Sequence, residues 1–252
     1  MMKTMKWLVA LLIIALVTLT ACKEKEEASP GETSSMPREE ESEPEDTVAK
    51  NDEEGETAEE AVVESLLDTE AMVDVLGKYL LRPDDMPNKY FVPDSGEQRT
   101  ATIRLIQDMG EIEAKTYVRE TGRIDGWWLQ LQRSSKADFA PSSIESSIEL
   151  FKNADGAQTA MSPDHYFIHK DESRVYTPVD GGCDLGDNCE FYYSEKEEPT
   201  TELITAQYNV AFTYKNAFVW VMARGLDIDM DADYVMDAAR VVFEKLQEAP
   251  TQ

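Results

Sequence analysis

The sequence predicts an α+β domain, a mainly antiparallel sheet with helices packed on it, preceded by a disordered acidic tether. Three observations carry this expectation. Strict alternation recurs through Trp127–Arg133, Ile144–Phe151 and residues 205–225, the period of strands with one face buried. Runs with apolar residues at steps of three and four stand between and after them, the period of helices lying on a core. Residues 23–60 hold 16 acidic and 4 basic residues, three prolines and no aromatic residue. Such a segment buries too little apolar surface to offset its ordering entropy.

The chain opens on Lys3 and Lys6, an apolar run from Trp7 to Leu19, and then Leu19-Thr20-Ala21-Cys22. A basic start, a short apolar stretch and small residues before a cut make a secretory signal, and the stretch is short for a bilayer span of about 20 residues. The order Leu, Thr, Ala, Cys resembles the lipobox of bacterial lipoproteins. That resemblance implies a thioether-linked diacylglycerol on Cys22, cleavage before it, and N-acylation with a chain such as palmitate. Residues 1–21 are then the signal peptide, 22–60 the lipidated cysteine and linker, and 61–252 a single α+β domain. Two or three acyl chains meet the requirement that stable anchoring takes more than one. The 38-residue linker has a relaxed span of about 35 Å, and repulsion among its glutamates extends it.

The net charge is −27 over 252 residues, and removing residues 1–21 with Lys3 and Lys6 takes it to −29. A surface this acidic repels phosphate backbones and anionic headgroups, so nucleic acid is excluded as a partner and the lipid has to do the anchoring. With Cys22 taken, Cys183 and Cys189 are the remaining cysteines. In an exported chain this even pair, close in sequence, reads as a disulfide.

The elements follow in order from residue 61. Val62, Leu66, Thr69, Val73, Leu76 and Leu80 mark one face of a helix ending before Pro83, which either docks on the domain or self-associates. Arg82–Pro93 reads as a loop entering a strand at Tyr90-Phe91-Val92. Thr100–Glu120 reads as a helix with Ile103, Ile106, Met109, Ile112 and Tyr117 on one side, interrupted by Gly110 and stopped by Gly122. Trp127–Arg133 places Trp127, Leu129 and Leu131 opposite Trp128, Gln130 and Gln132. Ile144–Phe151 places Ile144, Ser146, Ile148 and Leu150 opposite Glu145, Ser147, Glu149 and Phe151, and a short helix follows at Ala154–Met161. Thr205–Thr213 and Ala217–Gly225 form a hairpin across Lys215-Asn216, with Tyr214 facing Ala217 and Phe212 facing Val219. One of its faces carries Tyr208, Val210, Phe212, Val219, Val221 and Ala223. The other carries Asn209, Ala211, Thr213, Phe218, Trp220 and Met222. Tyr234–Leu246 closes the chain as a helix with Val235, Ala239, Val242 and Leu246 in a stripe.

The segments Thr121–Trp127, Gly181–Asp187 and Phe212–Asn216 resemble those of uncharacterised exported bacterial lipoproteins over most of residues 80–247, a resemblance that implies no activity. The alternation of helices and long strands is also similar to the α/β extracellular sensor domains of bacterial receptor kinases, in architecture only, and fold does not imply function.

Asp227, Asp229, Asp231 and Asp233 alternate as the oxygens of a calcium loop do, but Ala232 stands where the sharp turn needs Gly and Ala238 where a bidentate Glu belongs. The other reading is an acidic loop whose Asp231 or Asp233 caps the last helix. Asp180, Asp184, Asp187, Asn188 and Glu190 around the Cys183–Cys189 ring suit either a cation or a solvated turn. His165 and His169, the two histidines, share a side of a helix or strand and permit a zinc site, although the Glu of a zincin motif is missing. No serine-nucleophile elbow or phosphate loop is found.

The sequence therefore reads as a non-enzymatic, lipid-anchored lipoprotein on the extracytoplasmic face of the cell membrane, or of the outer membrane in a cell that has one. It needs no cofactor, calcium being the one alternative, and its partner is an unidentified protein or small molecule. The binding surface is expected on the hairpin face with Trp220, Phe218 and Met222, together with Trp128, unless a second helical layer covers it. The rivals are a metal-assisted hydrolase using His165 and His169, and an assembly protein joined through the Val62–Leu80 helix.

Overall fold

The computed structural model describes residues 65–136, 139–197 and 201–252. The signal segment, Cys22, the acidic linker and Val62 lie outside the described residues. Eight strands form one sheet in which every pairing is antiparallel: β1 (Tyr90–Phe91), β2 (Glu97–Arg99), β3 (Arg123–Arg133), β4 (Ser143–Phe151), β5 (Thr177–Pro178), β6 (Asn188–Glu197), β7 (Ile204–Tyr214) and β8 (Ala217–Leu226). The order is β1-β3-β4-β8-β7-β6-β5, with β2 also pairing along β3. The α+β expectation, a mainly antiparallel sheet with helices on it, holds.

The β7–β8 hairpin has the expected register, Tyr214 opposite Ala217 and Phe212 opposite Val219. Lys215 takes the left-handed conformation that a two-residue loop demands. Asn216 is buried, and its side chain works as a clamp: Oδ1 accepts from Leu67 N at 2.8 Å, and Nδ2 donates to Phe151 O at 2.9 Å. One loop residue thus ties the start of the described chain to the end of β4.

Helices cover both faces of the sheet. On one face Leu129, Leu131, Ile144, Ile148, Leu150, Val210, Phe212, Val219 and Val221 meet Val235, Ala239, Val242 and Leu246 of a long helix, Ala232–Gln247. Its stripe is the one read from the sequence, because a period of 3.6 places those four residues on one side. The same core takes in Leu67, Met72, Leu76, Leu80 and Leu81 from the segment before β1. There the structure corrects the sequence reading. Residues 69–72 form one turn of helix, α1, capped by Asp68, and residues 76–79 a turn of 3-10 helix. The segment docks as a strap through Leu67, Met72, Leu76, Leu80 and Leu81, while Leu66 and Val73 of the expected stripe are only partly buried.

On the opposite face lie α2 (Thr102–Met109), α3 (Glu111–Thr121), α4 (Ala154–Met161) and α5 (Phe167–Lys170), which makes the long C-terminal helix α6. Their buried residues Leu105, Ala114, Tyr117, Ala157, Ala160, Tyr166 and Ile168 pack on Phe151, Ala211 and Phe218. The expected single helix of residues 100–120 is two, broken at Gly110 with φ 90°. With the break, the apolar stripe read across it no longer lies on one side: Ile103 is 70% and Ile112 85% exposed, while Leu105, Ala114 and Tyr117 are buried.

Strand β6 begins inside the acidic turn around the disulfide and runs on through residues to which the sequence assigns no element. It is a full partner of β7 from Asn188 to Glu197, and its Cys189 is bonded to Cys183, so the disulfide pins the turn that leads into the strand.

Candidate functional site

Trp128, Ser147 and Trp220 stand in one cross-strand row, Trp128 opposite Ser147 on β3 and β4 and Ser147 opposite Trp220 on β4 and β8. Gln98 of β2 extends the row beyond Trp128. Neighbouring strands lie about 4.8 Å apart, so the two tryptophans rise from the sheet about 9.5 Å apart with only a serine between them. A large–small–large row leaves a slot. With α2 along its side it becomes a cleft of about 430 Å³, lined by Trp128, Ser147, Trp220, Glu149, Gln98 and Arg104 among others. Both indoles are half-buried, whereas Ser147 is 4% exposed.

The end of the cleft is held by a buried charge. Arg123 and Asp125 pair with consecutive residues of β4, Phe151 and Leu150, so Ile124 is extra. This bulge shifts the alternation by one residue and turns Arg123 onto the face of Gly126 and Trp128. There its fully buried side chain sets Nε 3.1 Å from Glu149 Oε1, off the N–H direction, and Nη2 donates to Thr100 O at 2.6 Å and Thr100 Oγ1 at 2.9 Å. Gly126 is required beside them, since a Cβ would collide with Arg123 Nη2 and Thr100 Oγ1. Tyr117 of α3 donates its hydroxyl to Glu149 Oε2. Burial first, and then the Glu149 charge, push the Tyr117 hydroxyl well above its ordinary pKa, so it remains a donor. Arg123, Glu149 and Tyr117 thereby fasten β3, β4, α3 and the start of α2 at one point.

At the other end Trp128 Nε1 donates to Glu145 Oε2 at 3.2 Å, and Arg224 Nη1 lies 3.8 Å from Glu145 Oε1. Burial raises the Glu145 pKa against those two partners. Trp220 rests edge-on against Phe167 of α5, ring centroids 5.4 Å apart.

The cleft uses two of the four residues expected on this surface. Trp128 and Trp220 line it. Phe218 and Met222, at 4% and 2% exposure, do not: Phe218 lies under Tyr166, ring centroids 5.2 Å apart, and Met222 sits between Glu145 and Asn209 in its cross-strand row. Phe218 belongs to the interior under the second helical layer and Met222 lies beside Arg224, whose Nη2 is 3.3 Å from its Sδ, whereas Trp220 meets that layer at the Phe167 edge and stays half-buried.

The aspartate run does not converge. Asp227 accepts from the Tyr193 hydroxyl at 3.0 Å, Asp229 pairs with Arg133 at 3.2 Å, and Asp231 caps α6 by accepting from Asp233 N at 3.0 Å. Asp227 and Asp229 are therefore clasps and Asp231 a helix cap, while Asp233 contributes its backbone N–H to that cap. His165 lies 3.4 Å from Glu120 and His169 3.4 Å from Glu190. Among the described residues no three His, Cys, Asp or Glu side chains gather as a metal set. The two histidines thus stand beside two separate carboxylates. Around the disulfide, Asp187 accepts from Lys215 N at 2.6 Å, a turn-closing bond.

Ser147, Glu149, Gln98 and Arg104 were not singled out from the sequence. The alternation of β4 already placed Ser147 and Glu149 on the right face, but only the β3–β4–β8 register sets a serine between two tryptophans. Among the described residues no helix is long and apolar enough to cross a membrane.

No protein-family model matches the chain, and no curated protein matches it. Among solved structures it is similar to the extracellular domain of PknH from Mycobacterium tuberculosis. The two share 14% identity with a TM-score of 0.36, over 73% of this chain and 93% of that one.

Proposed function

We propose that this chain is a non-enzymatic binding module, anchored by lipid on Cys22 at the extracytoplasmic face of a membrane, and that the Trp128–Trp220 cleft is where its ligand or partner docks. The observation that carries the reading is the pair of half-buried indoles bracketing Ser147 in a cleft of about 430 Å³. That size falls in the ordinary range of ligand pockets, which combine aromatic walls with a few placed polar groups. The anchor rests on Leu19–Cys22 and the apolar run before it. No cofactor is invoked.

The test is a thermal-shift screen of the full chain against saccharides, short peptides, nucleosides and amino acids, repeated with Trp220→Ala and Trp128→Phe. A ligand that binds only the folded form raises the midpoint by mass action. The reading expects a stabilising ligand whose effect disappears in both variants. A stabilisation that survives in both, or a screen in which nothing stabilises the parent chain, overturns it.

A further inference from the structure

We infer that the cleft is built for an uncharged, hydroxyl-rich ring, a neutral saccharide; this rests on the cleft reading above and adds the ligand class. Charge decides first. Glu149 is matched by the buried Arg123 and by the Tyr117 hydroxyl, and Arg104 Nε donates to Asp108 Oδ2 at 3.0 Å. A cationic ligand finds no unpaired carboxylate in the cleft, and an anionic one approaches a chain of net charge −27 with the lining arginine already engaged.

Shape decides next. Indoles rising about 9.5 Å apart from alternate strands leave room for one ring between them, and the faintly positive C–H edges of a saturated ring rest well on the negative indole faces. The polar groups complete the match. Ser95, Gln98, Thr100 and Ser147 all line the cleft; Gln98 Nε2 donates to Ser95 O at 2.7 Å and Thr100 Oγ1 accepts from Arg123, which leaves the Gln98 carbonyl as an acceptor and the serine hydroxyls to both donate and accept, as sugar hydroxyls do. Ser147 carries the most weight. It is 4% exposed on the cleft floor, and its hydroxyl makes no hydrogen bond to another side chain among the described residues. Lining the cleft, that hydroxyl is open to donate to and accept from an occupant. A purely aromatic guest fills the slot but leaves that hydroxyl unmatched.

The experiment follows the Trp127, Trp128 and Trp220 indole N–H signals of the lipidated chain that begins at Cys22, held in micelles of a zwitterionic, sugar-free detergent. They are assigned by single Trp→Phe variants. The probes are neutral mono- and tetrasaccharides of glucose, galactose, mannose and N-acetylglucosamine. Controls are glucuronate and glucosamine oligomers and an uncharged phenylalanine tetrapeptide. A neutral saccharide should move Trp128 and Trp220 and leave Trp127 in place. Ser147→Val should weaken that binding about tenfold or more, and Gln98→Ala by several-fold. Tighter binding of the tetrasaccharides than of their monomers points to a polymeric glycan as the source; equal binding points to a free sugar. If the tetrapeptide or a charged oligomer moves the pair instead, the cleft stands and the saccharide class falls. If no probe moves them, both fall. Saccharide binding that persists unchanged in Ser147→Val, in a protein with unaltered circular dichroism, also overturns the assignment.

Discussion

Replacing Glu149 by Gln removes the charge that faces Arg123 while keeping the size and shape of the side chain. Arg123 is fully buried at its side chain and has Nε 3.1 Å from Glu149 Oε1, and its Nη1 has no partner among the described residues. Its cationic charge then stays in the interior with neutral acceptors alone, the Thr100 oxygens and the new amide oxygen. Breaking a buried pair in this way typically costs about 3–5 kcal/mol, because the surviving charge is left uncompensated. For a folded unit of roughly 190 residues each kcal/mol moves the midpoint by about 2–4 °C, so Glu149→Gln should lower it by about 6–20 °C. The double variant Arg123→Met with Glu149→Leu is the informative partner, since replacing both charges by apolar groups of similar volume is often close to neutral. Arg123 also holds Thr100, so the double variant should recover most but not all of the loss. Differential scanning calorimetry and urea unfolding of the parent, Arg123→Met, Glu149→Leu and the double variant give the coupling, with Glu149→Gln measured beside them. A loss below about 1 kcal/mol for Glu149→Gln, or a double variant no more stable than the worse single one, would show that the pair is solvated and does not organise the cleft end.

Four other outcomes follow from the same structure. Burial raises the Glu145 pKa, so the folded state favours its protonated form; that stability is present below the ordinary carboxylate range and is lost as pH rises through the folded pKa. Glu145→Gln should therefore gain on the parent as pH climbs from about 4, and a stability difference flat from pH 4 to 8 would contradict it. Asn216→Ala strands the Leu67 N–H and the Phe151 carbonyl, a loss of about 2–5 kcal/mol read by urea unfolding; an unchanged urea midpoint would remove the clamp from the account. Serine at both Cys183 and Cys189 frees a seven-residue ring and should lower stability by about 2–3 kcal/mol on the loop-entropy model, while two alkyl groups added to unreduced protein would disprove the bond in solution. For the anchor, Cys22→Ser should move the protein from the membrane to the soluble fraction, and a variant that still sediments with an acyl label would disprove lipidation. In the same series a chain starting at Ala58 should keep the full midpoint, whereas one starting at Thr69 loses the buried Leu67 and should fall by several degrees.

Local pattern alone determined a good part of this protein. Alternation in Trp127–Arg133 and Ile144–Phe151 fixes which side chains share a face, because the strand period is two whatever lies alongside. The 3.6 period of the last helix and the two-residue loop at Lys215-Asn216 are equally local, and both came out in the structure as read. The disulfide was legible from cysteine number and spacing. What the sequence left open depends on contacts between distant segments. The strap of residues 65–81 is helical in pattern but mostly not in fact, because docking Leu67, Met72, Leu76 and Leu80 into one core overrides the propensity of a short segment. Strand β6 hid among acidic and glycine-rich neighbours, since its pairing comes from β7 and not from its own alternation.

The site shows the same division. Trp128 and Trp220 were legible as large apolar residues on a mixed face. The same reasoning gave Phe218 and Met222 equal standing, because periodicity assigns a residue to a face but does not say where a covering helix ends. The extra residue at Ile124 turns Arg123 toward Glu149, and the β3–β4–β8 register sets Ser147 between the indoles. A one-residue shift in either would send these side chains to the other side of the sheet. Register and bulge are properties of strand pairing, and pairing is decided by the whole sheet, so the cleft exists only at the level of the tertiary structure.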